Sequence, residues 1–133
     1  MNGWENVFIG ELGASAALTG LVFVGISINL KKIMENSFLP NNALEALIAF
    51  VSTLFIAFLL LIPRQAFLAN GVEALCVGLL TWIAMIFLHR DSLRKAPGVY
   101  RGALLRQFAI YHLAALSFVA GGVSFLLWGA AGF

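Results

Sequence analysis

Four long apolar runs, separated by short polar stretches, set the pattern of this chain. The first runs from about Leu12 to Leu30 and stops at Lys31 and Lys32; the second runs from about Ala43 to Ile62 and ends at Pro63 and Arg64. The third covers about Gly71 to Leu88, closed by His89 and Arg90, and the fourth about Tyr100 to Gly132, with a basic start that moves its apolar part to near Phe108. Each is close to the roughly 20 residues that carry a helix across a ~30 Å hydrocarbon layer. In lipid every backbone N–H and C=O must be paired, so only helices or closed barrels span. Continuous rather than alternating apolar runs select helices. The pattern predicts an all-α integral membrane protein: one four-transmembrane-helix bundle forming a single domain over residues 1–133.

Composition reinforces this. Of 133 residues, 62% are hydrophobic and 11% charged, whereas a soluble domain is about half apolar and a quarter charged. The excess apolar surface has to face lipid. No Lys or Arg precedes the first run, which carries Glu5 and Glu11 ahead of it, so it lacks the basic start of a cleaved signal peptide and reads as a retained helix. The lead-in Met1–Glu11 places Trp4 at an interfacial position. Cys76 is the sole cysteine and cannot form a disulfide within one chain. No Cys/His spacing matches a zinc site, so no metal is expected.

Charge changes the picture by orienting it. Lys31, Lys32, Arg90, Arg94, Lys95, Arg101 and Arg106 flank the first and third connections, and only Arg64 flanks the second. Basic residues are retained on the cytoplasmic side, so both termini are expected outside the cytoplasm in a multi-pass protein of the inner (cytoplasmic) membrane. The same seven residues are candidates for contact with anionic lipid headgroups. The loops are too short for a nucleic-acid-reading module.

Two expected helix starts share a pattern: Asn42-Ala43-Leu44-Glu45 and Asn70-Gly71-Val72-Glu73. An Asn N-cap with Glu at the third helical position would pair orphan backbone N–H groups, which makes Asn42, Glu45, Asn70 and Glu73 candidate capping residues. In the first run Gly13, Ala17, Gly20, Val24 and Ser27 fall on one face. Small residues let helices approach closely, so this stripe packs helix 1 into its own bundle or docks it onto a copy or a partner. Gly121-Gly122 also permits close approach.

His112 is the one ionisable side chain well inside an expected span, and such residues are functional candidates. With Thr19 and Asn29 it forms a candidate polar path or ligand contact. His89 lies at the same membrane face but nearer the interface, a poor depth match for axial haem ligation, so no cofactor is expected. No central charge pair, filter-like loop or general base stands beside the membrane hydroxyls, and no enzymatic activity is expected.

The stretch Gly13 to Leu30, then Leu39-Pro40 with Ala43–Leu47, then Leu61-Ile62-Pro63-Arg64-Gln65, resembles a family of small bacterial membrane proteins often labelled "modulator of FtsH protease", strongest over residues 12–65. It is unlike the seven-helix Bax-inhibitor type of similar description. The resemblance implies a bacterial inner-membrane protein, brings no catalytic residues, and implies a further apolar helix in a longer parent. The expectation is a non-enzymatic interaction subunit or modulator of a membrane complex that binds lipids and either itself or another membrane protein. The alternative is an oligomeric channel or transporter for ions or small solutes.

Overall fold

A computed structural model describes residues 4–130 as helices joined by short turns, with no strand among them. The elements are α1 (Glu5–Ile28), α2 (Leu30–Glu35), α3 (Leu39–Leu60), α4 (Phe67–Lys95), a single 3-10 turn (Gly98–Tyr100) and α5 (Arg101–Ala130). Four of these stretches, α1, α3, α4 and the 3-10 turn with α5, are long and apolar enough to cross a membrane. Gly132 and the end of the expected fourth helix lie outside the described residues.

Helix boundaries depart from the apolar boundaries in a consistent direction. α1 begins at Glu5, ahead of Leu12, and α4 continues past Leu88 to Lys95. Hydropathy marks only the apolar side chains, while the hydrogen-bond ladder continues into the flanking polar residues wherever no breaker stops it. α3 starts at Leu39, not Ala43, because Pro40 occupies its first turn, where the missing N–H had no helical partner to lose. Asn29 interrupts α1 and sets off the short α2. Between α3 and α4 the chain reverses through Arg64 in the left-handed region, at φ 62°.

The spans pack as a row rather than a closed bundle: α1 lies on α3, α3 on α4, and α4 on α5, with no comparable α1–α5 seam. Consequently α1 is the least buried span and α4 the most. The buried line of α4 is Gly71, Ala74, Gly78, Thr81, Met85, His89 and Ser92, a spacing of three and four that keeps one face inward. Most of that line is small or polar. Gly71 and Gly78 admit α5 so closely that a Cβ added at Gly78 would meet the Val119 backbone nitrogen at 3.1 Å. Gly122 does the same in reverse, where an added Cβ would meet the Leu75 nitrogen at 2.7 Å.

Candidate functional site

Where α3 begins and α4 ends, polar side chains from both helices meet. The helices run antiparallel, so positions that advance along α3 pair with positions that recede along α4. Asn41 Nδ2 donates to Asp91 Oδ2 at 2.8 Å. One turn further on, Glu45 Oε1 lies 3.0 Å from His89 Nδ1, and beyond that the hydroxyls of Ser52 and Thr81 bond at 2.6 Å. Asp91 also pairs with Lys95 at the exposed end.

Glu45 and His89 are the centre of this seam. Their exposures are 0% and 1%, and with Asn70 and Ser92 they are the largest fully buried side chains. α5 closes the third side. His89 Nε2 lies 3.1 Å from the Leu104 carbonyl oxygen, and because a carbonyl only accepts, Nε2 is the donor. The Phe108 ring packs edge-on against His89 and also against His112, with centroids 4.7 and 3.8 Å away. His112 in turn accepts a hydrogen bond from Trp82 Nε1 at 3.1 Å. Glu45 Oε2 is buried without a protein partner, as are Asn42 Oδ1, one turn before Glu45 on α3, and Ser92 Oγ, one turn after His89 on α4.

This geometry corrects the capping assignment. The residue before α3 is Phe38 and the one before α4 is Ala66, and neither provides a side-chain cap. Asn42 lies inside α3, its backbone N–H bonded to the Phe38 carbonyl, and Asn70 lies inside α4, bonded to Ala66. Both helices start a turn early, so the orphan N–H groups those Asn residues would have served are elsewhere. Glu45 turns to His89, and Glu73 accepts from Gln65 Nε2 at 2.6 Å. Asn70 is buried with both amide atoms unpartnered.

The α1 stripe is also placed differently from one of its two expected roles. Gly13, Ala17, Gly20, Val24 and Ser27 all face outward, and a Cβ built at Gly13 or Gly20 meets nothing within 4 Å. Helix 1 packs on α3 through the other face, with Ser15 buried and Phe8, Leu12, Thr19, Val22 and Ile26 half-buried. Packing into its own bundle is therefore not what the stripe does.

Thr19 sits on α1, Asn29 just past its end, and His112 on α5, at the two edges of the row, so one copy does not bring them together. Thr19 and Asn29 bond back to the carbonyls of Ser15 and Gly25, at 2.7 and 2.9 Å, as does Ser27 to Phe23 at 2.8 Å. His89 and His112, expected at different depths, are neighbours with ring centroids 6.2 Å apart. α5 tilts its Phe108 between them.

Lys31, Lys32, Arg90, Arg94, Lys95, Arg101 and Arg106 are all exposed. They lie at the same ends of the helices, where Ser37 donates to the Lys95 carbonyl and Phe38 packs against Tyr100; Arg64 lies at the opposite ends, in the α3–α4 connection. Cys76 is free and exposed. Among the described residues no group of three or more His, Cys, Asp or Glu side chains is placed to hold a metal.

The Glu45–His89 pair is what the sequence pattern missed. Glu45 is as far inside the start of α3 as His89 is from the end of α4, and both ends face the same basic side, so equal depth was the available signal. Compared with family models, curated proteins and solved structures, the chain matches none.

Proposed function

We propose that this protein is a membrane-embedded interaction subunit, and that the outward face of α1 seats a transmembrane helix of another membrane protein or of a second copy. One observation carries the proposal: Gly13, Ala17, Gly20, Val24 and Ser27 form a small-residue face with open space before it. Association in lipid depends on close packing and interhelical hydrogen bonds, not on hiding apolar area from water. A face of this shape gains contacts only from another helix, because lipid tails already satisfy its apolar character.

On this reading the protein sits in a bacterial inner membrane with its basic end in the cytoplasm, both termini on the other side, and the seven basic residues against anionic headgroups. The resemblance of residues 12–65 to proteins labelled "modulator of FtsH protease" is consistent with a partner-binding role and a non-enzymatic one. Gly20→Leu tests the proposal, since it fills the face without touching α3. Expected is loss of the co-purifying partner or of the oligomer from native membranes, with the monomer's unfolding unchanged. An unaltered co-purification and oligomer profile would overturn it.

A further inference from the structure

We infer that Glu45 and His89 share a single proton, forming a buried proton-binding site that ties α3, α4 and α5 together. The inference follows from donor and acceptor accounting and is independent of the α1 face. His89 Nε2 faces the Leu104 carbonyl oxygen at 3.1 Å, so it carries hydrogen. A neutral imidazole has only one N–H, which leaves Nδ1 a bare acceptor. Yet Nδ1 lies 3.0 Å from Glu45 Oε1 and has no other partner.

Two bare acceptors do not rest at that distance in a fully buried site, because their lone pairs repel and the carboxylate charge is uncompensated. One more proton resolves the contact. It sits on Glu45 as a carboxylic acid donating to Nδ1, or on His89 as an imidazolium beside a carboxylate, and the pair is neutral overall in both. Release of that proton to solvent leaves a carboxylate and a neutral imidazole face to face.

Other charged groups around the pair are accounted for. α5 presents His112 and Tyr111, with ring centroids 6.2 and 6.4 Å from His89, and its Arg101 and Arg106 are exposed. On α4, Asp91 is engaged by Lys95 and Asn41, and Arg90 and Arg94 are exposed. α3 carries no other charged residue, and Lys31, Lys32 and Glu35 of α2 are exposed, as is Tyr100 of the 3-10 turn.

The sign of the pH dependence follows. An unfolded chain titrates its Glu near ~4.3 and its His near ~6.5. Between those values both states hold one proton and stability is level. Above ~6.5 the unfolded chain has lost it, and a folded pair that still shares it becomes less stable relative to that chain as pH rises. Below ~4.3 the unfolded chain takes up a second proton, and stability falls on that side too.

Glu45→Gln separates the proton from the contact, because its amide donates to Nδ1 without an added proton. In the full-length protein in lipid nanodiscs, wild type should lose stability above pH ~6.5 and Glu45→Gln should be flat there; the comparison is made in a His112→Gln background to remove that titration. Should the variant not fold, 15N spectroscopy of His-labelled wild type gives the second readout. It should find His89 protonated at Nε2, with Nδ1 either protonated as well or hydrogen-bonded as an acceptor. Identical pH profiles for wild type and Glu45→Gln, a bare Nε2, or stability that follows sodium concentration at fixed pH would each overturn the assignment.

Discussion

The seam between α4 and α5 and the outer face of α1 are built from the same kinds of residue and meet opposite surroundings. At the seam, one added carbon at Gly71 or Gly122 would collide with the neighbouring helix, and one at Gly78 would press tightly on it. On α1, the same carbon at Gly13 or Gly20 meets nothing. A small-residue stripe therefore specifies a shape, and the contact it makes depends on which helices the connections bring to it. Here α4 and α5 are joined by a short turn that sets them antiparallel, whereas α1 packs along its length on α3 alone among the long helices.

Substitutions can break that contrast at graded strength. Gly122→Leu should have the largest effect, removing the α4–α5 seam at a cost above ~3 kcal/mol, because a full side chain cannot displace the Leu75 backbone. Gly122→Ala should still cost ~1–3 kcal/mol by overpacking, read as an earlier midpoint in detergent unfolding. Next comes the Ser52–Thr81 bond: a double-mutant cycle of Ser52→Ala and Thr81→Val should give a coupling of about 0.6 kcal/mol, the average for interhelical hydrogen bonds in membranes, and no more than about 1.7 kcal/mol. Smallest is Gly20→Ala, within ~0.5 kcal/mol in the isolated monomer, as for a surface position. Equal costs for Gly20→Ala and Gly122→Ala would erase the distinction between the two faces.

What was legible in the sequence followed from the solvent. Four apolar runs identified four helices long and apolar enough to cross a membrane. Their ends were less legible: Pro40 and the residues after Leu88 lie outside the hydrocarbon pattern yet inside helices. Gly122 was recognisable as a close-approach site, but its partner Leu75 was not, because spacing along one helix does not say which neighbour it meets. Glu45 shows the same limit more sharply. Its local setting, three residues after an Asn, matched a cap, and only the antiparallel course of α4 brings His89 to its depth. On α1 the face that packs, through Ser15, and the face left open were both amphiphilically indistinct, because Gly, Ala, Ser and Thr occur all around that helix.

The most direct test of the interaction role is site-specific photo-crosslinking from α1 in native membranes. A photoreactive side chain at Ala17 or Gly20 probes the small-residue face, and one at Leu18, also exposed but on another side of the helix, is the control. The account predicts a discrete protein adduct from Ala17 and Gly20 and only lipid adducts from Leu18. Lipid adducts alone from all three positions, or the same protein adduct from Leu18, would contradict it.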